Sequence, residues 1–239
     1  MSSRVLSIIV PCHNEGENIP FILRAFADVL REKGFNGAEL ILIDNNSKDG
    51  TAEILKRELE KPEHSFARTV FEPRAGYGVA IKRGLESAQG EIIAWTHADL
   101  QTDPKDVLRA YEEYVKYNDP KVIIKGSRVG RPLAQIIFSA GMALIASVIL
   151  RKRFFEINAQ PKLFHRNFLE HLLGGPDDFS LDLYLLYQAK CYGYQVKTIN
   201  VFFKKRIYGE SKWAFSFSSK FKTIWRTIKY IVKLKRTLS

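Results

Sequence analysis

Three residues that can bind a cation stand at alternate positions in residues 92–104, IIAWTHADLQTDP: His97, Asp99 and Gln101 follow an apolar run that reads as a strand. Successive side chains of a strand point to opposite faces, so an extended HADLQ segment would present imidazole, carboxylate and amide oxygen to one side. That donor set suits Mn²⁺ or Mg²⁺, with the remaining coordination positions open to an anionic ligand and water. A cation held there would act as a Lewis acid. The plainer alternative is a strand-end histidine satisfied by its own hydrogen bonds.

Such residues need elements that bring them to one edge. Alternation and β-branched runs predict strands at 5–10, 39–44, 69–72, 92–96 and 122–124. Between them lie helical patterns. NIPFILRAFADVLREKGF places Ile19, Ile22, Leu23, Phe26, Val29 and Leu30 on one stripe, TAEILKRELEK starts with a Thr cap after Asp49-Gly50, and GVAIKRGLESAQG ends on a glycine suited to a helix C-terminus. Strand and helix alternating in this rhythm give the α/β class, a mostly parallel sheet covered on both faces. Ligands of such sheets sit outside the carboxyl ends of the strands. The five strand ends read PCHNEGEN, DNNSKDGT, EPRAGYG, HADLQTDP and KGSRVGR, and their acids, amides, glycines and arginines point to one converging site.

The 239 residues suit one large domain, and 46% hydrophobic with 26% charged residues is a folded composition. Two distant cysteines, Cys12 and Cys191, suggest a reducing compartment, and the N-terminus lacks the apolar run of a signal peptide, so a cytoplasmic location is expected. The net charge of +11 asks for an acidic partner, and much of the excess lies beyond residue 200. Nucleic acid is excluded as that partner: no reading helix or aromatic platform accompanies the charge, and the strand-end acids would repel phosphate without a metal. Residues 132–150 carry no charge and are flanked by Arg131 and Arg151-Lys152-Arg153. They predict a buried or membrane-surface helix rather than a span. The tail places Phe221, Ile224, Trp225, Ile228, Ile231, Val232 and Leu234 among lysines and arginines, the pattern of an interfacial helix on an anionic membrane surface, with docking on the protein's own core as the alternative.

SIIVPCHNEGENI, LILIDNNSKDGTAEIL, RAGYGVAIKRGLESAQGEIIAWTHADLQTDP and YGESKW resemble the successive motifs of family 2 glycosyltransferases with the GT-A fold. Within that family the arrangement is most similar to polyprenyl-phosphate sugar transferases of the dolichol-phosphate mannose synthase type. The resemblance implies a Rossmann-like GT-A domain over 1–215, with an apolar membrane-proximal helix at 132–153 inside it and a basic amphipathic C-terminal helix at 216–239. It implies a metal-dependent enzyme, peripheral on the cytoplasmic face of the membrane, moving one sugar from a UDP- or GDP-linked donor to a lipid-linked acceptor such as polyprenyl phosphate. A family 2 transferase acting on a hydroxyl of a growing glycan or lipid-linked saccharide is the alternative.

Carried onto this chain, the resemblance assigns donor binding to Pro11, His13, Glu15, Asp44, Asn46, Gly76, Lys82, Ala98, Asp99, Arg206 and Lys212, and acceptor binding to Arg128, Gln160 and Lys162. Asp99, Arg128, Asp182 and Lys212 are implied catalytic residues, and His97, Asp99 and Gln101 the metal ligands. The family pattern at 97–99 is Asp-Ala-Asp, so His97 departs from it, and its nitrogen would tilt the site toward Mn²⁺. Each residue also has a plainer reading. Asp44 and Asn46 can cap the SKDGT turn, Gly76 and Gly78 can serve a tight turn, the cations can be surface charge, and Asp182 can be a helix cap or a partner for Lys or Arg. Asp182 bears on the acceptor, because a hydroxyl needs a base and an ionised phosphate does not. Gly209 and Lys212 suit a lid over the site.

Overall fold

The computed structural model describes residues 5–203 and 217–237. Its strands are β1 (Leu6–Cys12), β2 (Ala38–Asp44), β3 (Ala67–Phe71), β4 (Ile92–Trp95), β5 (Val122–Val129), β6 (Lys162–His165) and β7 (Gln195–Phe202). They form one sheet in the order β3-β2-β1-β4-β6-β5-β7. Every neighbouring pair is parallel except those of β6, which runs antiparallel to both β4 and β5. The apolar runs LSIIVPC and AELILID form the centre because parallel strands covered on both faces must be apolar throughout.

Helices α1 (Ile19–Glu32), α2 (Thr51–Leu59), α3 (Tyr77–Ser87) and α4 (Lys105–Tyr117) fill the connections, followed by α5 (Leu133–Leu150), α6 (Leu181–Cys191) and α7 (Phe217–Thr237). The six stripe residues of α1 are all buried, as their spacing predicts. They meet residues of α2 and α4 in the core on one face of the sheet, while α3, α5, α6 and α7 supply the core on the other. Two helix ends differ from expectation. Gly50, at φ 79°, caps α2, and Thr51 is its first residue, with its amide donating to Asp49 Oδ1 at 3.2 Å. The chain leaves α3 at Ser87, before Gly90; a Cβ on Gly90 would lie 2.7 Å from the Ser7 amide, so that glycine serves the close approach to β1.

The described part of the apolar segment is one helix, α5, and only Ala143, Ala146 and Leu150 of it are buried. Leu133, Ile137, Leu144 and Val148 stand 71%, 64%, 64% and 69% exposed, an apolar face turned away from the protein. Among the described residues α5 is long and apolar enough, by length and composition, to cross a membrane. Helix α7 packs against it, and Ile231 and Leu234 join the core that holds Ala146 and Leu150, whereas Trp225 is half-exposed. The later turns of the tail thus dock on the protein, as the alternative reading of their apolar stripe allows.

Candidate active site

The ends of β1 and β2 lie side by side, with Cys12 opposite Asp44 in register. Burial pushes the Cys12 thiol well up, and the charges of Glu15 and Asp44 add to it, which places both carboxylates around the end of β1. Asp44 Oδ1 accepts the Ser47 amide at 3.1 Å, so the capping role is real at this residue. Asn46 is left-handed at φ 55° and accepts from Lys48 Nζ at 2.7 Å. Glu15 Oε2 accepts from Asn18 Nδ2 at 2.6 Å, and Pro11 lies opposite Ile43 within the strand pair. His13 is exposed, with Nδ1 2.8 Å from the Asn45 carbonyl. Asn45, which sequence reasoning passed over, is buried; its Nδ2 donates to the Arg74 carbonyl at 2.6 Å and its Oδ1 accepts the Gly76 amide at 2.8 Å. The second residue of the DNN run therefore anchors the next loop.

That loop holds two of the residues assigned to the donor, Gly76 and Lys82. A Cβ on Gly76 would lie 2.7 Å from the Asp177 carbonyl oxygen and one on Gly78 2.3 Å from that of Pro176. What these glycines admit is the chain's own backbone at 176–178. The Asp177 carbonyl also accepts the Gly78 and Val79 amides at 3.0 and 3.3 Å, taking up donors at the start of α3. Lys82, assigned to the donor, donates to the Gly175 carbonyl at 2.8 Å and pairs with Asp177 at 2.6 Å.

The HADLQ segment is a turn. Strand β4 stops at Trp95, Leu100 adopts φ 55°, and Asp99 Oδ1 accepts the Gln101 amide at 3.1 Å. An aspartate captures a backbone N–H two residues on and bends the chain, so the alternation of a strand ends before His97. Ala98 and Asp99 are buried. Among the described residues no three His, Cys, Asp or Glu side chains cluster as a metal cage. The expected set remains His97, Asp99 and Gln101, which fits a cation that takes its other ligands from an anionic substrate and water. Desolvation lowers the His97 pKa, with Lys162 and Arg128 acting in the same sense against Asp99 and Asp182. The ring is therefore neutral at pH 7, the form that binds metal.

Beside His97, with ring centroids 5.8 Å apart, Tyr77 stacks on Phe179 at 4.4 Å and reaches a buried polar network. Tyr77 donates to Asp182 Oδ2 at 3.3 Å, and Gln160 Nε2 donates to the Tyr77 oxygen at 3.0 Å and to Asp182 Oδ1 at 3.1 Å. Lys162 Nζ is 2.6 Å from Asp182 Oδ1. The side chains of Lys162 and Asp182 are 0% and 1% exposed, so Lys162 and Gln160 lie beneath the surface and Asp182 is an ion-pair partner. Burial pulls the Lys162 pKa down against the pull of Asp182. Arg128 Nε donates to Glu156 Oε2 at 2.8 Å, and Glu156 also binds Arg131. Tyr77 and Glu156 were not picked out from sequence, and Arg131 only as a flank of the apolar segment: an aromatic in a glycine loop and a Glu beyond the apolar helix carry no local signal of these contacts. Arg206, Gly209 and Lys212 lie outside the described residues.

Residues 7–157 match the profile of Glycosyl transferase family 2. The chain belongs to that family. The undecaprenyl-phosphate 4-deoxy-4-formamido-L-arabinose transferase of Pseudomonas syringae pv. syringae (strain B728a) is 30% identical to this family 2 glycosyltransferase over 106 residues, 44% of this chain and 31% of the relative. The enzyme of the same name from Pseudomonas fluorescens (strain Pf0-1) is 27% identical over 123 residues, 52% of this chain and 36% of the relative. The chain thus spans about a third of the length of these relatives. Glucosyl-3-phosphoglycerate synthase from Mycobacterium tuberculosis, solved with Mn²⁺, UDP and glucosyl-3-phosphoglycerate, superposes with a TM-score of 0.72 at 16% identity, covering 97% of this chain and 80% of that one. Its complex with Mn²⁺, UDP-glucose and phosphoglyceric acid gives a TM-score of 0.69 at 16% identity, covering 97% and 79%. The fold of the transferase is GT-A, and its strand ends are the edge at which that fold places a ligand.

Proposed function

We propose that this family 2 glycosyltransferase moves one sugar from a nucleotide-diphosphate sugar to the phosphate of a polyprenyl phosphate. The observation that carries the reading is the state of Asp182. The acid that could deprotonate a hydroxyl is buried and already accepts from Lys162, Gln160 and Tyr77. A hydroxyl nucleophile would find no base there, whereas a phosphate is ionised at neutral pH and needs none. The names of the undecaprenyl-phosphate transferases support a lipid phosphate acceptor, and the exposed apolar face of α5 offers its hydrocarbon a place to lie.

Asp44 and Glu15 are proposed to bind the nucleoside at the ends of β1 and β2, with Pro11, His13 and Asn46 around them. Asp99 and His97 would hold a divalent cation, Mn²⁺ in preference to Mg²⁺ because of the imidazole nitrogen. Bound there, the cation would offset the charge that builds on the departing nucleoside diphosphate. Arg128 is assigned to the acceptor phosphate, and its cation orients that anion toward the sugar. Arg206 and Lys212 are proposed to add charge from the segment before α7. The donor is taken as UDP- or GDP-linked. The catalytic unit is taken as 1–215 and the tail as 216–239, with the enzyme peripheral on the cytoplasmic face of the membrane through α5.

Purified protein with UDP- or GDP-sugars and Mn²⁺ or Mg²⁺, offered polyprenyl phosphate or the matching polyprenol, tests the reading. Sugar should pass to the phosphate alone. Equal transfer to polyprenol, or transfer to a lipid-linked saccharide only, would overturn it.

A further inference from the structure

We propose that Glu156 is the positioning residue of the acceptor end, holding Arg128 in the orientation in which it meets an anionic headgroup and tying that orientation to α5. The inference rests on the assignment of Arg128 to the acceptor phosphate and adds the residue on which that assignment depends. Glu156 is buried and sits in left-handed backbone at φ 45°, a conformation that costs a non-glycine residue energy and persists only where its surroundings fix it. Those surroundings are specific. Lys125 Nζ donates to the Glu156 carbonyl at 3.0 Å, and Oε2 accepts from Arg128 Nε at 2.8 Å and from the Arg128 amide at 3.3 Å. Oε1 accepts from Arg131 and from Ser139 Oγ, the latter at 3.4 Å. Burial alone would raise the Glu156 carboxyl, but the guanidiniums of Arg128 and Arg131 hold it below the usual range, so it is ionised. One carboxylate thereby joins the end of β5, the turn into α5 and α5 itself.

Two arginines against one glutamate leave this cluster a net positive charge. Glu156 engages Arg128 through Nε, which leaves the Nη edge of the guanidinium as the side that can meet an anion. Arg128 is 14% exposed and Arg131 4%, so Arg128 is the arginine a ligand can touch and Arg131 is its buried counterweight. The competing account is neutralisation, in which Glu156 serves only to keep buried guanidiniums from lying unpaired.

Charge and position separate in one experiment. Wild type, Glu156→Gln, Glu156→Asp and Glu156→Gln/Arg131→Met are titrated with neutral-lipid vesicles with and without polyprenyl phosphate, and KM and kcat for transfer are measured beside donor binding with Mn²⁺. Positioning predicts that Glu156→Gln raises the acceptor KM and weakens the polyprenyl-phosphate-dependent binding by about 10-fold or more, since small misplacement of a cation is costly. Donor affinity should not move, Glu156→Asp should recover part of the loss, and the double variant should recover none. Recovery in the double variant, an unchanged KM in Glu156→Gln, or a parallel fall in donor affinity would overturn the proposal. Wild type that does not distinguish the two kinds of vesicle would overturn the acceptor assignment itself, and the inference with it; wild-type preference that survives in Glu156→Gln overturns the inference alone.

Discussion

Asp182→Asn is the substitution for which structure and chemistry give separable outcomes. Lys162 and Asp182 are a fully buried pair 2.6 Å apart, and the amide would leave the Lys162 ammonium without its counter-charge. Breaking a buried pair from one side costs about 3–5 kcal/mol, a large fraction of the roughly 5–15 kcal/mol that holds a domain together. The effect should depend on pH. Lys162 already has a folded-state pKa below 10.5, so between that lowered value and 10.5 the unfolded chain binds more protons and stability rises with pH. Without Asp182 the folded pKa falls further and the window widens downward, so the deficit of the variant should be largest near neutral pH and below and shrink as pH rises. Urea unfolding from pH 6 to 10 reads both quantities, and Lys162→Met/Asp182→Asn should recover most of the loss because it removes the stranded charge. Transfer to polyprenyl phosphate, assayed where the variant is folded, should survive. An Asp182→Asn protein of wild-type stability whose transfer falls by about 10²- to 10⁴-fold would show that Asp182 is a base, and would refute both the ion-pair argument and the phosphate acceptor.

Asp99→Ala should abolish metal-dependent transfer and, through the lost hydrogen bond to the Gln101 amide, cost about 1 kcal/mol of stability; turnover at the wild-type rate would remove its metal role. His97→Asp should lower the ratio of Mn²⁺ to Mg²⁺ affinity, measured by direct cation titration without substrate, because a carboxylate replaces the nitrogen ligand. An unchanged ratio would take His97 out of the coordination sphere. Ile137→Lys/Val148→Lys places two charges on the exposed face of α5 and should weaken binding to neutral vesicles while leaving the fold intact; undiminished binding would locate the membrane contact elsewhere.

The parts of this fold legible in sequence are those with local causes. The apolar runs of β1, β2 and β4 and the stripe of α1 announce burial residue by residue, and the polar strand ends announce the edge where a ligand belongs. Strand β6 escaped notice because its four residues, KLFH, begin with a lysine, which reads as surface. That lysine is buried only because Asp182, twenty residues on, meets it. Strand β7 is a half-exposed edge with weak apolar alternation, and the bend in HADLQ involves a side-chain-to-backbone bond that a period of two conceals.

The same division governs the positive charge that a donor diphosphate and an acceptor phosphate require. A sequence shows cations, but whether a cation is available to a ligand depends on which carboxylate the fold sets against it. Lys82 meets Asp177, Arg128 meets Glu156 and Lys162 meets Asp182, each across at least 20 residues of chain. Only one of these pairs closes off the cation: Lys162 is sealed, whereas Lys82, 17% exposed, is held by the Gly175 carbonyl and the exposed Asp177. Arg128 differs because Glu156 engages its guanidinium through Nε and is itself shared with Arg131, so the cluster keeps a net positive charge. Under the proposed reaction, then, neutralisation of the substrates falls to that arginine, to Lys82, to the cation at Asp99 and His97, and to Arg206 and Lys212 from the segment before α7.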